Sequence, residues 1–174
     1  MSSDDPSLAL SVAAEDPAGA DAQALMAALS QALAALTGSD GRASFDVEDV
    51  RGMRARFAVA RDAQGRALGC GALRPLVAAG ADGNVAEIKR MFAVPGTSGV
   101  GSAVLAFLEA EAVRLGYAQA WLETRRVNVR AVAFYERRGY ARIDNYGRYR
   151  GNAEAVCFGK RLDVPATAGS AAAA

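Results

Sequence analysis

The sequence contains no histidine. This absence excludes Ser-His-Asp and Cys-His catalytic pairs, in which an imidazole accepts the proton of the nucleophile. It also excludes most zinc sites, and we expect no bound metal. A general base in this chain must therefore be a carboxylate, a lysine, a tyrosine or a backbone group.

Cysteine is scarce as well. Cys70 and Cys157 are the two cysteines, and they lie far apart within apolar, strand-like stretches. A disulfide between them is one reading, but two reduced thiols in the core of a cytosolic protein is the interpretation we favour.

The chain has neither a strong excess of charge nor a long apolar run. Its 20 basic and 19 acidic residues give a formal net charge of +1, which argues against nucleic acid or an anionic membrane as a partner. No segment has the length and apolar composition of a signal peptide or a membrane span. We therefore expect a cytoplasmic protein.

The residues that are present suit one mixed α/β domain. The chain has 174 residues, of which 52% are hydrophobic and 22% charged, enough to bury a core. We predict a disordered leader over 1–7, a single domain over 8–162 and a disordered, alanine-rich tail over 163–174. Hydrophobic periodicity predicts helices that end at Gly38, Gly116 and Gly139, and a short helix near 47–50. It predicts strands at 8–12, 56–60, 67–73, 84–94, 118–124, 140–143 and 155–162.

A glycine-rich loop separates the fourth predicted strand from the next helix. Glycines let a backbone approach a ligand closely, and the free amides at a helix start attract phosphate. The alternative is a loop that only turns the chain. A nucleotide P-loop would need Gly-Lys-Ser/Thr, which is absent, and a dinucleotide fingerprint would need glycine where Val104 stands.

Two motifs resemble those of the GNAT N-acetyltransferase family. The run Glu87-Ile88-Lys89-Arg90-Met91-Phe92-Ala93-Val94-Pro95, followed by Gly99-Val100-Gly101, resembles the acetyl-CoA motif of that family. The run from Asn128 to Tyr140 resembles the family's Asn-x-x-Ala-x-x-Phe/Leu-Tyr-x-x-x-Gly-Phe/Tyr helix, in the family's order and separation. The resemblance covers about 8–162. It implies a GNAT fold, with a mixed, mostly antiparallel sheet of six or seven strands, a splayed fourth and fifth strand, and about four helices.

The resemblance implies acetyl-CoA as the co-substrate and a set of residues that bind it. One departure is that Gly96 stands where the family carries Arg or Gln, in a loop about two residues shorter, so that the backbone amides remain to bind phosphate. The implied cofactor-binding residues are Met91, Phe92, Ala93, Gly96, Thr97, Ser98, Gly99, Val100, Gly101, Ser102, Asn128, Ala131, Phe134 and Tyr135.

Direct acetyl transfer needs a base for the amine and an acid for the leaving thiolate. Tyr135 matches the family's acid, and a phenol with a pKa of about 10 keeps its proton at neutral pH. The alternative is that Tyr135 is only a core residue. Glu87 is the candidate base, acting through water, with Glu123 in reserve. In a regular strand Glu87 shares a face with Lys89, Met91 and Ala93, opposite Ile88 and Phe92; its alternative role is an ion pair with Lys89, Arg90 or Arg125.

The acceptor is the least determined part of the prediction. By the resemblance, the amine enters near 39–50 and the loop that joins the last two strands. Arg125, Tyr146 and Arg148 are the candidate acceptor residues, and their arginines favour a small amine that carries an anionic group, such as an amino acid. The alternatives are a protein N-terminus or lysine, and a module that binds acyl-CoA without turnover. A homodimer, common in the family, is also left open.

Overall fold

The structure is a computed structural model, and it describes residues 9–78 and 80–163. The predicted leader and nearly all of the predicted tail lie outside these residues. The strands are β1 (Ser11–Ala14), β2 (Arg56–Arg61), β3 (Ala67–Pro75), β4 (Val85–Ala93), β5 (Gln119–Arg125), β6 (Ala141–Ile143) and β7 (Ala155–Arg161). The helices are α1 (Ala20–Thr37), α2 (Val100–Arg114) and α3 (Val129–Arg137), and 3₁₀ turns cover Arg42–Ser44, Val47–Val50 and Gly147–Tyr149.

The seven strands form one mixed sheet in the order β1-β2-β3-β4-β5-β7-β6. Every neighbouring pair is antiparallel except β4 and β5, which run parallel because α2 carries the chain back between them. This confirms the predicted fold class. The short helix predicted near 47–50 is a 3₁₀ turn, capped by the side chain of Asp46.

The two faces of the sheet bury different side chains. Along β2, Ala58 and Ala60 belong to the core cluster that contains α2, whereas Phe57 and Val59 belong to the cluster that contains Met26 of α1. Helix α1 therefore covers one face of the sheet and α2 the other. Period-two alternation in the sequence of β2 produces this division.

Strands β4 and β5 pair only at their beginnings. The parallel register joins Val85–Glu87 to Gln119–Trp121 and stops there. Beyond that point β4 remains bonded to β3 and β5 to β7, so that the two strands diverge and open the centre of the sheet. The splay predicted between the fourth and fifth strands lies here.

A β-bulge at Arg90 corrects the predicted alternation along β4. Arg90 has φ of +55°, and the register between β3 and β4 shifts at this point. As a result Lys89 and Arg90 both face α1, and Met91 packs into the core cluster of α2. The prediction that Met91 and Ala93 share a face with Glu87 is wrong, because one extra residue reverses the alternation.

The two cysteines are free and buried, as we predicted. Cys70 lies on β3 and Cys157 on β7, with two strands between them in the sheet. Burial raises the pKa of the Cys70 thiol to about 12. Both thiols are therefore core residues and poor nucleophiles.

Candidate active site

An inner cavity of about 200 Å³ opens where β4 and β5 diverge. It is lined by side chains from both strands, from α1 and its following loop, from α3 and from the 3₁₀ turn Gly147–Tyr149. The lining residues include Ser44, Lys89, Arg90, Met91, Glu123, Arg125, Asn128, Ala131, Tyr135, Arg148 and Tyr149. The cavity thus brings together residues that are far apart in sequence.

Tyr135 reaches this cavity from α3. Its ring packs edge-on against Phe134 and Tyr140, with centroids 5.1 and 5.7 Å away, and the residue is 8% exposed. Burial raises the pKa of its hydroxyl above the ordinary value of 10. Because no hydrogen bond from this hydroxyl occurs within the described residues, its proton is free for a ligand in the cavity.

Glu123 is the one carboxylate that lines the inner cavity among the described residues. Its Oε1 is buried and accepts no hydrogen bond from the described part of the chain. The nearest cation is Arg125, whose Nε lies 3.7 Å from that oxygen. Burial raises the pKa of the Glu123 carboxyl, and Arg125 and Lys89 oppose that rise. A buried carboxylate with a raised pKa and an unbonded oxygen is suited to accept a proton from a ligand.

Glu87 lies outside the inner cavity. It is 3% exposed, and its carboxylate accepts hydrogen bonds from Arg74 Nε at 2.9 Å and from the Tyr146 hydroxyl at 2.8 Å. These partners differ from Lys89, Arg90 and Arg125, the ones considered from sequence. Arg74 in turn binds Asp49. Glu87 is therefore held in a satisfied buried network beside an outer cavity of about 450 Å³.

The three predicted acceptor residues separate in the structure. Arg125 lines the inner cavity, Tyr146 lines the outer one, and Arg148 lies between them and lines both. Tyr146 is occupied by its bond to Glu87. Arg148 Nη1 donates to Ala43 O at 2.7 Å across the gap between the two cavities.

Lys89, Ser44 and Tyr149 form a contact that sequence reasoning missed. Lys89 Nζ donates to Ser44 Oγ at 3.0 Å and to the Tyr149 hydroxyl at 2.9 Å. Burial lowers the pKa of the Lys89 ammonium. The one sequence signal was Lys89 on the same strand face as Glu87; its partners are 45 and 60 residues away.

The glycine loop lies at the start of α2, on the face of the sheet opposite to α1. Gly96 has φ of +84° and Gly99 of +74°, conformations that a side chain would oppose. Gly99 is the N-cap of α2, and the first four amides of a helix have no partner within it. The loop therefore presents free N–H groups of Val100, Gly101 and Ser102, as an anion site requires.

The remaining predicted cofactor residues connect this loop to the inner cavity. Asn128 caps α3 by accepting from Ala131 N at 3.2 Å, and both residues line the cavity. The ring of Phe134 lies beside Gly101, where a Cβ would approach within 3.6 Å of it. Met91 lines the cavity, whereas Phe92 packs in the core cluster on the α1 face. Arg138, which the sequence analysis did not select, binds the Ser102 hydroxyl.

The described residues form neither a metal-binding cluster nor a membrane-spanning helix. Within 9–78 and 80–163 no group of three or more Cys, Asp or Glu side chains has the arrangement of a metal site. In the same ranges no helix combines the length and apolarity needed to cross a membrane.

Comparison with known proteins identifies the family. Residues 23–140, more than half of the chain, match the Acetyltransferase (GNAT) family. The chain belongs to this family. No curated protein matches the sequence significantly.

Solved structures of GNAT proteins share the fold. A Klebsiella pneumoniae protein assigned as an acyl-CoA N-acyltransferase is 26% identical, with a TM-score of 0.74 over 89% of this chain and 99% of that one. A GCN5-related N-acetyltransferase from Kribbella flavida is 21% identical, with a TM-score of 0.65 over 88% and 98%. A Salmonella typhimurium protein assigned as an acetyltransferase, solved with its cofactor acetyl-CoA, is 16% identical, with a TM-score of 0.66 over 91% and 97%. As a GNAT protein, the chain is an acyltransferase of the class that uses acetyl-CoA.

Proposed function

We propose that this GNAT protein transfers an acetyl group from acetyl-CoA to the primary amine of a small molecule, directly within a ternary complex. One observation carries the proposal: Tyr135 and Glu123 face the same cavity at the splay of β4 and β5. One side chain holds a proton throughout the physiological range, and the other accepts one. The pair supplies both proton transfers that an uncatalysed aminolysis lacks.

In the proposed reaction Glu123 is the general base and Tyr135 the general acid. Glu123 accepts a proton from the ammonium form of the acceptor, directly or through a water, which leaves a neutral amine. The amine nitrogen then bonds to the carbonyl carbon of the thioester, and the carbon–sulfur bond breaks. Tyr135 donates its proton to the leaving sulfur, which becomes a thiol. The nitrogen loses its second proton as it becomes an amide, this proton restores the Tyr135 hydroxyl through solvent, and Glu123 releases the first proton to solvent. Backbone N–H groups of β4 beyond Glu87, which β5 does not pair, are the proposed donors to the oxyanion.

The polar backbone groups near the inner cavity suit the polar groups of acetyl-CoA. The amides at the start of α2 suit a pyrophosphate, and the unpaired edge of β4 suits the amide groups of a pantetheine arm. Asn128, Ala131 and Phe134 lie between these two places and would flank the arm.

Glu123 replaces Glu87 as the preferred base because of its surroundings. A base must be within reach of the substrate and have a lone pair available. The Oε1 of Glu123 makes no hydrogen bond within the described residues, whereas Arg74 and Tyr146 bind both oxygens of Glu87. We assign Glu87 the role of anchoring the turn that carries Tyr146 to β4.

The test is acetyl-CoA consumption with release of free thiol, measured against a panel of small amines. Wild type is compared with Tyr135→Phe and Glu123→Gln, and with Glu87→Gln as the matched control. We expect Tyr135→Phe and Glu123→Gln each to lower kcat by about 10²–10⁴ while acetyl-CoA still binds. Glu87→Gln should keep kcat within about tenfold at a temperature where it is folded.

Other outcomes would select another function. Tight acetyl-CoA binding without turnover of any amine or peptide would indicate a module that only binds acyl-CoA. Turnover of peptide amines alone would indicate a protein acetyltransferase. A loss of kcat in Glu87→Gln equal to that in Glu123→Gln would contradict the assignment of the base.

A further inference from the structure

Positively charged side chains outnumber negatively charged ones around the inner cavity. Among residues 9–78 and 80–163, four cations line it, from Lys89, Arg90, Arg125 and Arg148, against one carboxylate, that of Glu123. Burial disfavours the charged form of that carboxyl, which reduces the available negative charge further. Excess positive charge within a partly buried cavity attracts anions and repels cations.

None of these four cations has a carboxylate within 3.5 Å among the described residues. Lys89 and Arg148 donate to a hydroxyl and to a backbone carbonyl, and Arg90 donates to Ser30 Oγ at 2.8 Å. Arg125 is 3.7 Å from Glu123.

Two part-buried cations outside this cavity do have carboxylate partners. Arg56 is 2.9 Å from Glu111, and Lys160 is 3.0 Å from Glu109. Because neutral acceptors satisfy hydrogen bonds without cancelling charge, the four cations of the inner cavity keep positive charge that Glu123, and Glu87 near Lys89, offset only in part.

The phosphates of the cofactor are not the evident partners of these cations. Arg90 donates to Ser30 of α1, and Lys89 and Arg148 donate to Ser44 and Ala43 in the loop that follows α1. The glycine loop begins α2, which packs against the opposite face of the sheet. Lys89, Arg90 and Arg148 therefore lie on the side of the sheet opposite to the proposed pyrophosphate site, from which an acceptor would enter.

The inner cavity is also small. Hydrogen bonds from Arg148 to Ala43, and from Lys89 to Ser44 and Tyr149, cross from one 3₁₀ turn to the other. They separate the inner cavity from the outer one, which contains Asp49 and Glu87. A volume of about 200 Å³ is below that of sites for drug-sized ligands. An acceptor in this cavity is therefore small.

Building on the proposed function, we infer that the acceptor is a compact amine with its own carboxylate, a zwitterion of the amino acid type. Its amine lies at Glu123 and its carboxylate is bound by Arg148, with Arg125 and Lys89 adding to the positive field. An arginine can bind a carboxylate through two parallel hydrogen bonds. A polyamine or an aminoglycoside would place further cations beside the four already present.

Matched acceptors test this inference. Glycine, β-alanine, L-methionine and L-glutamate are each compared with the corresponding carboxamide, and spermidine serves as a polycation. We expect kcat/KM for at least one carboxylate form to exceed that of its amide by about 10–100-fold, the range for hydrogen bonds to a charged group. Arg148→Gln should raise KM for the carboxylate form and reduce this ratio toward one, with little change for the amide.

Arg142→Gln is the control, because Arg142 is an exposed arginine paired with Glu136 and does not line either cavity. It should leave the ratio unchanged. Calorimetric binding of the same acceptors to the protein saturated with CoA measures the preference without turnover, and Arg148→Gln should abolish it there too.

The outcomes separate this inference from the proposed function. Turnover of spermidine or of the amides above the carboxylates, or a ratio that Arg148→Gln and Arg125→Gln leave intact, overturns the zwitterionic acceptor and leaves the acetyltransferase standing. Absence of turnover with every amine, together with absence of any carboxylate preference in binding, overturns both.

Discussion

Glu87 and Glu123 have the same side chain on neighbouring strands, yet their surroundings give them opposite properties. Arg74 and Tyr146 stabilise the Glu87 carboxylate by two hydrogen bonds. Glu123 faces the inner cavity with one oxygen unbonded within the described residues, and burial raises its pKa. The first arrangement stabilises a charge for structure, and the second keeps a lone pair available for a proton.

The pKa of Glu123 leads to a prediction about pH. A base works when ionised, so that kcat/KM should rise with pH through the raised pKa of this carboxyl, above the ordinary value of 4.5. In a profile of kcat/KM against pH, this rise should be present in the wild type and absent in Glu123→Gln. If kcat/KM of Glu123→Gln still rises with pH in the same way, Glu123 is not the base.

The raised pKa of Glu123 also affects folding stability, which should fall with rising pH where activity increases. A carboxyl with a raised pKa in the folded state stabilises the fold at low pH, and this contribution is lost as pH rises through that pKa. Glu123→Gln should therefore unfold at a Tm no lower than wild type at pH 7, whereas Glu87→Gln should unfold at a lower one. The pair of Tm values serves as the control for the kinetic assignment.

At the scale of elements, two glycines in β3 determine how closely α2 approaches the sheet. A Cβ on Gly69 would lie 2.4 Å from Val100 Cγ1 and 2.7 Å from Phe92 O, and one on Gly71 would lie 2.8 Å from Val104. These distances are too short for real atoms. The first turn of α2, which presents the free amides, is therefore held in place by the absence of side chains in β3.

Gly69→Ala tests this packing. Because one of the clashing atoms is backbone, we expect a loss of about 1–3 kcal/mol in the free energy of unfolding, and weaker acetyl-CoA binding as α2 shifts. Denaturant unfolding and calorimetric titration measure the two effects. Gly52→Ala is the matched control: a Cβ there meets nothing within 4 Å, and its stability should stay within about 0.5 kcal/mol of wild type. Equal stability of both variants would contradict the close approach.

At the scale of the whole molecule, the sheet consists of two parts joined by a short ladder. Strands β1 to β4 form one part and β5 to β7 the other, and within the described residues the strand pairing between them is confined to Val85–Glu87 and Gln119–Trp121. A ligand in the splay contacts both parts. Its binding should therefore stabilise the fold as a unit.

Acetyl-CoA should accordingly protect the protein against thermal unfolding. At a concentration of 100 Kd the added stability is about 2.7 kcal/mol, which corresponds to an increase in Tm of about 5–11 °C for a domain of this size. Differential scanning fluorimetry with acetyl-CoA, and with NAD as the control, measures it. Stabilisation by NAD and not by acetyl-CoA would contradict the cofactor assignment.

Local patterns in the sequence were sufficient for the order of elements and for the family. Gly38 ends α1, Asn128 caps α3, and alternation along β2 divides the two faces, as each residue type and period indicates. The lack of histidine narrowed the possible bases, and the motifs around Glu87 and Tyr135 indicated an acetyltransferase. Such features depend on residues within a few positions of one another, which is why they can be read from sequence.

Only the tertiary structure decided which side chains meet. The positive φ of Arg90 reverses the alternation of β4, and Arg74 and Tyr146, 13 and 59 residues from Glu87, bind that carboxylate outside the inner cavity. Glu123, by contrast, keeps one oxygen in that cavity without a hydrogen bond from the part of the chain that the structure describes. A carboxylate becomes an ion-pair partner or a base according to the charges and solvent that the fold places around it. Those charges come from distant segments that sequence spacing does not reveal.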